Sequence, residues 1–312
     1  MPALKNKHLL GLKYISSGDI QTIIDTGFTF REILNRPIKK VPSLMGKNIV
    51  NLFFENSTRT RISFELAEKR LSADVTNFSA SSSSLHKGES LKDTIQNIHA
   101  MKMDCIVMRH PAPGSCIQLS NYVDSIIINA GDGSNEHPTQ ALLDMMSLQE
   151  KFGRLKGLKI AIVGDIGHSR VALSNIIGLN KMGAEITLCG PAHLIPRDIE
   201  KMGVSINHDI DEVIDWADAI NVLRIQRERM GIGIIPSIRE YRSLFGITSE
   251  RICQHKKEII IMHPGPMNRG VEIDSAIADG EQAIILDQVL NGVAVRMSIL
   301  FLLLTSGEEA GK

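Results

Sequence analysis

Short apolar runs alternate with helical patterns along the 312 residues of this chain. The runs are rich in β-branched residues, and such runs are typical of strands that are buried on both faces of a parallel sheet. They lie at residues 48–54, 104–108, 125–129, 158–163, 185–189, 219–223, 258–262 and 282–286. Strands that alternate with helices predict an α/β fold of two domains, each a parallel sheet flanked by helices.

The division between the two domains is predicted from turns and helices. The turn-rich segment 131–136 precedes a helical pattern, and residues 291–305 indicate a long apolar helix near the other end of the chain. We therefore expect one domain to comprise residues 1–136 with 288–312, and the other to comprise residues 137–287. Interdomain helices would join them.

The composition is that of a soluble globular protein, with 43% hydrophobic and 22% charged residues. Lys and Arg together number 35, as do Asp and Glu, and this balance argues against electrostatic binding to nucleic acid or to a membrane. The first residues lack the basic-then-apolar layout of a signal peptide, and the apolar residues 297–304 are too few to span a bilayer. We expect a cytoplasmic protein.

Neither the cysteines nor the glycines indicate a metal or a cofactor. The four cysteines are widely spaced and form no Cys-x-x-Cys pair; they are Cys105, Cys116, Cys189 and Cys253. This spacing predicts reduced, mostly buried thiols and not a disulfide framework or a zinc site. Gly164-x-x-Gly167 differs from the Gly-x-Gly-x-x-Gly of dinucleotide-binding proteins, which argues against a nicotinamide cofactor. We expect no cofactor and no metal.

The most informative motif, Ser57-Thr58-Arg59-Thr60-Arg61, lies where a predicted strand is followed by a predicted helix. Hydroxyl and guanidinium groups at a helix N-terminus form a site for a dianion, and phosphate is the first candidate. The alternative is a solvated capping turn with two surface arginines, although helix starts favour Asp and Glu over Arg.

Other polar groups follow predicted strands or begin predicted helices. Arg109 comes directly after the strand 104–108, in the position where ligands bind to open α/β sheets. His137 could donate to a developing oxyanion, and Gln140, one turn later, could hold an amide group; a structural histidine is the alternative. Lys87 ends a serine-rich loop and could reach an anion, unless the segment is only a flexible surface loop.

The second half of the chain offers cations that suit a carboxylate. Arg170 follows the turn after the first strand of the second domain. Arg224 and Gln226 follow a later strand at alternate positions, so both would point the same way and could bind a carboxylate. A solvated face is the alternative. His263-Pro264-Gly265-Pro266 closes another strand and either exposes carbonyls near a ligand or forms a plain turn.

Together these motifs resemble those of the transcarbamoylase family, whose members bind carbamoyl phosphate. The resemblance is carried by Ser57-Thr58-Arg59-Thr60-Arg61, Arg109-His110-Pro111 and His137-Pro138-Thr139-Gln140. In the second half, residues 224–229 and 263–270 are similar to those of the aspartate-specific members. An ornithine-specific member would carry His-Cys-Leu-Pro and an acidic Asp-x-x-x-Ser-Met-Gly segment, which this sequence lacks.

The resemblance implies transfer of the carbamoyl group from carbamoyl phosphate to the amine of L-aspartate, the second step of pyrimidine (UMP) biosynthesis. The implied catalytic residues are Arg59, Thr60, Lys87, Arg109 and His137. The implied carbamoyl phosphate-binding residues are Ser57, Thr58, Arg59, Thr60, Arg109, His137, Gln140, Gly265 and Pro266. The implied L-aspartate-binding residues are Lys87, Arg170, Arg224 and Gln226.

The resemblance also implies a homotrimer with active sites shared between subunits. Lys87 and a loop serine, either Ser83 or Ser84, would then come from the neighbouring chain. Whether regulatory chains or dihydroorotase join the trimer is left open. Two rival functions are a transcarbamoylase with another amine acceptor and a non-catalytic carbamoyl phosphate-binding protein that passes its ligand to a partner. The second rival would not need the carboxylate-binding Arg170 and Arg224.

Overall fold

The computed structural model describes residues 4–79, 90–225, 237–255 and 258–306. The contacts within the chain divide it into two compact units. The first unit comprises Met1–Met146 and Leu290–Lys312, and the second comprises Ser147–Val289. The division falls within two long helices, and the domain limits expected at residues 137 and 288 stay predictions.

In the first unit, strands and helices alternate, as the sequence predicts. The elements are α1 (Ser17–Leu34), β1 (Asn48–Phe53), α2 (Thr58–Arg70), β2 (Asp74–Ser79), α3 (Leu91–Ala100), β3 (Cys105–His110), α4 (Ser115–Ser120), β4 (Ile126–Asp132) and α5 (Pro138–Phe152), the last of which continues into the second unit. A short 3₁₀ helix, Leu12–Tyr14, precedes α1. The four described strands form a parallel sheet in the order β2-β1-β3-β4.

The second unit has the same type of architecture. Its elements are β5 (Lys159–Val163), α6 (Arg170–Lys181), β6 (Glu185–Cys189), β7 (Ser205–Ile206), α7 (Ile210–Trp216), β8 (Ala219–Val222), α8 (Ile238–Phe245), α9 (Ser249–Gln254), β9 (Ile260–Met262) and α10 (Ser275–Ala278), and α11 (Ile285–Thr305) leads back into the first unit. Two 3₁₀ helices, Ala192–Leu194 and Ile199–Met202, follow β6. The described strands form a parallel sheet in the order β7-β6-β5-β8-β9.

Buried aliphatic side chains on strands and helices form the core of each unit. In the first unit Leu52 and Ile106 on neighbouring strands pack with Ile95 of α3. In the second unit Ile220 of β8 packs in a cluster that includes Ile214 and Tyr241. The α/β class with two helix-flanked parallel sheets is therefore confirmed.

The strand predicted at residues 282–286 is wrong. Ala283 forms one isolated parallel bridge with Ile261, and Ile284 donates its N–H to the Ile261 carbonyl at 3.0 Å. The chain then turns into α11, which begins at Ile285, six residues before the helix that the sequence predicts. One bridge cannot extend into a strand because the following backbone N–H groups are taken up by the helix; Gln288 N, for example, donates to Ile284 O at 2.9 Å.

Helix α11 begins well before the apolar residues 297–304 that were considered in the sequence. Its 21 residues are long and apolar enough to span a bilayer by length and composition, but 78% of its most apolar window is buried inside the protein. A mostly buried helix of this kind is typical of the core of a soluble protein. Three of the four cysteines, Cys105, Cys116 and Cys189, are buried as predicted, and Cys253 is exposed.

Candidate active site

The motif Ser57-Thr58-Arg59-Thr60-Arg61 forms the turn after β1 and the first residues of α2. Ser57 is the N-cap of α2, and within the described part of the chain its side chain makes no capping hydrogen bond. The first helical hydrogen bond of the turn runs from Arg61 N to Ser57 O at 3.2 Å. The N–H groups of the preceding residues point out of the helix start, as anion binding requires. Thr60 is buried, whereas Thr58 and Arg59 are exposed.

Arg109 lies at the carboxyl end of β3, next to this turn. It stands opposite Phe53 in the β1–β3 register, and its carbonyl accepts a hydrogen bond from Phe54 N at 2.9 Å. Its side chain is only 12% exposed. Arg109 Nε donates to Glu55 Oε2 at 3.2 Å, and Nη1 donates to Ala130 O at 3.3 Å. The guanidinium is thus held between the carboxyl ends of β1 and β4. β3 extends through Arg109 to His110, two residues beyond the predicted strand end.

Buried carboxylates shape the turn from β4 to α5. Asp132 Oδ1 accepts hydrogen bonds from Asn129 Nδ2 at 2.8 Å and from Glu136 N at 3.1 Å. Asp132 Oδ2 accepts from Gly114 N at 2.7 Å. The Glu136 carboxylate accepts from Leu12 N at 2.7 Å. Because most of these bonds are buried and all four are accepted by a carboxylate, they hold the turn firmly at the edge of the sheet.

His137 and Gln140 begin α5 directly after this turn. His137 is 4% exposed, and its carbonyl accepts the first helical hydrogen bonds, from Gln140 N at 3.0 Å and from Ala141 N at 3.3 Å. Gln140 Nε2 donates to Asp144 Oδ1 at 2.9 Å, so the amide orientation is fixed within the helix. β1, β3 and β4 are consecutive in the sheet. The three motifs therefore lie in a row along one sheet edge.

In the second unit, Arg170 and Arg224 follow neighbouring strands. β5 pairs with β8, and Leu223 N donates to Val163 O at 2.8 Å where both strands end. Arg170 is the first residue of α6 and is buried, and the N-cap Ser169 fixes this helix start. Arg224 follows β8 and is partly buried. Two cations at adjacent strand ends suit a ligand with carboxylate groups.

The loop after β9 is fixed beside Arg224. The His263 ring accepts a hydrogen bond from Gly265 N at 2.8 Å, and its other ring nitrogen lies 3.4 Å from a Glu272 carboxylate oxygen. The peptide bond Gly265-Pro266 is cis. Asn268 Nδ2 donates to Ile225 O at 3.0 Å, which ties the loop to the chain that leaves β8. The loop therefore has a defined backbone, as a binding role for Gly265 and Pro266 needs.

Three of the predicted positions, Lys87, Gln226 and the loop serine at 83 or 84, lie outside the described residues. Two described residues were missed by sequence reasoning. Glu55 holds the Arg109 guanidinium. It could have been found as the one acidic residue beside a motif that was interpreted only through its hydroxyl groups and arginines. Arg296 lies within α11, and its signal was a single charge in an otherwise apolar stretch.

Burial also affects the pKa of His110, the residue after Arg109. It lowers the pKa of His110, whose ring packs edge-on against Phe54 at 5.1 Å between centroids. The His110 ring accepts a hydrogen bond from Ala112 N at 3.0 Å, and this ring nitrogen can accept only while it carries no proton. A neutral ring that accepts from the backbone fits a structural role next to Arg109.

Two family models match most of the chain. The model described as "Aspartate/ornithine carbamoyltransferase, carbamoyl-P binding domain" matches residues 7–150. The model described as "Aspartate/ornithine carbamoyltransferase, Asp/Orn binding domain" matches residues 156–303. The two matches correspond closely to the two compact units of the structure.

Curated relatives and solved structures match over nearly the whole chain. An aspartate carbamoyltransferase catalytic subunit of Christiangramia forsetii is 60% identical over 296 residues, covering 95% of this chain and 96% of the relative. That of Gemmatimonas aurantiaca is 58% identical over 297 residues, with coverages of 95% and 93%. A structure of Trypanosoma cruzi aspartate transcarbamoylase with N-(phosphonacetyl)-L-aspartic acid has a TM-score of 0.87 and 31% identity, and covers 96% of both chains. The catalytic subunit of M. jannaschii aspartate transcarbamoylase has a TM-score of 0.85 and 38% identity, with coverages of 97% and 99%.

Proposed function

Because this chain belongs to the aspartate/ornithine carbamoyltransferase family, we infer that it transfers the carbamoyl group of carbamoyl phosphate to the amine of L-aspartate. The products are N-carbamoyl-L-aspartate and phosphate, and the reaction is the second step of pyrimidine biosynthesis. The observation that carries this function is the identity of 60% over 95% of the chain to a relative named for it. The resemblance stated from the sequence and the function implied by it are confirmed.

Aspartate is favoured over ornithine as the acceptor by residues of the second unit. Arg170 and Arg224 follow adjacent strand ends, and two guanidinium groups match the two carboxylates of aspartate. Ornithine carries an additional amine, for which an acidic segment would be needed. His263-Pro264-Gly265-Pro266 also differs from the His-Cys-Leu-Pro of ornithine-specific members.

The first unit supports a role in binding carbamoyl phosphate. The N-terminus of α2 presents backbone N–H groups with the Ser57, Thr58 and Thr60 hydroxyls, and Arg59 adds a positive charge. These groups would bind the phosphate dianion, and Arg109 would bridge the phosphate and the carbonyl oxygen. The Glu55 carboxylate holds the Arg109 guanidinium and thereby limits the directions in which its N–H groups can point.

The reaction needs positioning and charge stabilisation, and no covalent intermediate with the protein. The amine is the nucleophile, the carbamoyl group is already activated by phosphate, and a tetrahedral oxyanion forms between them. Thr60, Arg109 and His137 would donate to that oxyanion, and Gln140 with the Gly265-Pro266 backbone would hold the carbamoyl amide group. Donors that are fixed before the reaction stabilise the transition state without reorganisation, and they supply most of the rate enhancement in such reactions.

A homotrimer with shared active sites is part of the proposal. Lys87 would reach the active site of the neighbouring subunit, where it would bind aspartate together with Arg170, Arg224 and Gln226. The names of the relatives as catalytic subunits fit an assembled enzyme. A cytoplasmic location is also part of the proposal.

The test of the reaction is phosphate release from carbamoyl phosphate by the purified chain, with L-aspartate or L-ornithine as acceptor. Release that depends on aspartate is expected. Release that depends only on ornithine would overturn the acceptor assignment. Binding of carbamoyl phosphate without release would favour the non-catalytic alternative.

The test of the shared site is complementation between two inactive variants. Lys87→Ala and His137→Ala should each lose nearly all activity. Trimers reassembled from a mixture of the two should regain activity, because one site in some hybrids receives both intact residues. Hybrids that stay inactive would show that both residues serve the site of their own subunit.

A further inference from the structure

A buried arginine of α11 joins the elements that carry the carbamoyl phosphate motifs. Arg296 is 3% exposed and lies in the first unit, where its helix neighbours are apolar. Removing a guanidinium from water costs several kcal/mol unless partners compensate for the lost hydration of its N–H groups and charge. The partners of Arg296 therefore indicate what it does.

The guanidinium of Arg296 contacts three helices at once. Nη1 donates to Gly292 O of its own helix at 2.8 Å and to Ser63 Oγ of α2 at 3.0 Å. Nη2 lies 3.4 Å from Thr139 Oγ1 of α5. The guanidinium carbon also lies 5.0 Å from the centroid of the Phe64 ring, a cation–π contact with α2. A planar fork can serve two elements in fixed directions, which the single ammonium of lysine cannot do.

These contacts lie directly beneath the implied binding residues. Ser63 is one helical turn after Thr60, so it moves with the phosphate-binding end of α2. Thr139 lies between His137 and Gln140 in the first turn of α5. One side chain thus touches both helices that bring donors to carbamoyl phosphate.

A carboxylate of α5 acts on the charge of Arg296. Burial lowers the pKa of Arg296 to about 10, and the Asp144 carboxylate opposes that lowering. The guanidinium therefore stays charged at neutral pH. Asp144 also accepts the hydrogen bond from Gln140 at 2.9 Å, so the carboxylate that balances the arginine also orients the amide.

We propose that Arg296 is a positioning residue that sets the start of α5, with His137 and Gln140, against the phosphate-binding end of α2. The inference rests on the proposed function, since it concerns the geometry of the carbamoyl phosphate site. Arg296 acts through Ser63, Thr139 and Asp144 and does not touch the substrate. Misplacement of donors by about 1 Å costs about 100-fold in rate. Weaker contacts between Arg296 and the helices α2 and α5 should therefore lower kcat.

Two variants disturb the contacts of Arg296 with α2 and α5 in different ways. Arg296→Lys keeps the positive charge but cannot reach α2 and α5 together. Gly292→Ala keeps the arginine, but the new Cβ would stand 2.7 Å from Arg296 Nη1 and would push the guanidinium away from Ser63. The second variant keeps the side chains of Arg296, Ser63 and Thr139, so it remains informative if Arg296→Lys fails to fold.

Ser298→Ala is the matched control on the same helix. Ser298 is fully buried and donates to Ile23 O of α1 at 2.7 Å, so its loss weakens the packing of α11 without touching α2 or α5. We expect a lower melting temperature for this variant, with kcat within about twofold of that of the wild type.

The experiment measures kcat, both KM values and the melting temperature of the wild type and these variants. Arg296→Lys and Gly292→Ala should lower kcat by about 10- to 100-fold while the KM for aspartate changes less than about threefold. If both keep the kcat of Ser298→Ala at a similar melting temperature, Arg296 only stabilises the fold and the inference is overturned. The wild type tests the proposed function separately. If it releases no phosphate from carbamoyl phosphate in the presence of aspartate, the proposed function is wrong, and the inference that rests on it is wrong as well.

Discussion

A buried carboxyl group on α2, the helix of the proposed phosphate site, should make the stability of the first unit depend on pH. Glu68, near the end of α2, is fully buried, and its Oε2 accepts a hydrogen bond from Asn51 Nδ2 of β1 at 2.8 Å. Burial raises the pKa of the Glu68 carboxyl to about 8, and the hydrogen bond from Asn51 offsets only part of that effect. Glu65 raises the pKa further and Lys69 lowers it, both by smaller amounts.

The sign of the pH dependence follows from where the proton is bound. A glutamic acid in the unfolded chain has a pKa near 4.5, so between about 4.5 and 8 the folded state holds a proton that the unfolded state releases. The contribution of Glu68 to stability is therefore fully present below pH 4.5 and is lost as the pH rises towards 8. A shift from 4.5 to about 8 corresponds to about 5 kcal/mol, as an upper bound, and about 3 kcal/mol of it is lost by pH 7.

Glu68→Gln replaces the carboxyl with a neutral group of the same shape that still offers an oxygen to Asn51. We expect the variant and the wild type to have similar free energies of unfolding at pH 4. The variant should become the more stable of the two as the pH rises, by a few kcal/mol at pH 8. Urea unfolding followed by circular dichroism from pH 4 to 9 measures the difference.

Glu65→Gln, one turn earlier on the same helix, is the control with the opposite sign. The hydrogen bond from Lys69 Nζ at 2.6 Å lowers the pKa of Glu65, so its contribution is present above pH 4.5 and is lost in acid. Its loss should cost only about 0.3–0.5 kcal/mol at neutral pH because the pair lies on the helix surface. A stability difference between Glu68→Gln and the wild type that is the same at pH 4 and pH 8 would refute the reasoning.

Three further predictions concern the acceptor site, the shared site and the second unit. Arg224→Ala should raise the KM for aspartate more than tenfold and that for carbamoyl phosphate far less; equal effects in steady-state assays would contradict its carboxylate role. Lys87→Ala should nearly abolish turnover while the circular dichroism spectrum stays unchanged, and near-normal activity would rule out a shared site. Burial opposes protonation of His255, but hydrogen bonds from its ring to Asp215 and Asp211 outweigh burial and raise its pKa. That stabilisation is present below pH 6.5 and is lost at higher pH, so His255→Gln should lower the thermal midpoint at pH 5 and leave it unchanged at pH 9.

The parts of the fold that follow from local pattern were predicted from the sequence. Strands buried on both faces are continuous apolar runs, so β1, β3 and β5 stood out, and the residues after them could be placed at a sheet edge. β2 did not stand out, because only Val75 and Phe78 of its six residues are apolar and it lies at the edge of its sheet. The run at 282–286 has a strand-like composition, but it forms a single bridge at Ala283 before α11 begins at Ile285.

The parts of the site that depend on tertiary contact were not predictable in this way. The motifs gave the groups that we propose as ligand-binding, since their residue types and spacing carry the chemistry. The groups that hold them do not share a sequence pattern with them; Ser63 and Arg296 are 233 residues apart in the chain. Burial decides the proton affinity of Glu68, and its polar surroundings in the sequence gave no sign of it.

The central claim is that this chain uses carbamoyl phosphate and L-aspartate as the two substrates of one reaction. N-(phosphonacetyl)-L-aspartate, the ligand of the related Trypanosoma cruzi structure, combines a phosphonate with the two carboxylates of aspartate and therefore tests the binding of both kinds of group in a single titration. Isothermal calorimetry should give one molecule bound per chain, with an affinity at least about 100-fold tighter than that of carbamoyl phosphate. An affinity no tighter than that of inorganic phosphate would mean that the second unit does not contribute, and it would contradict the account.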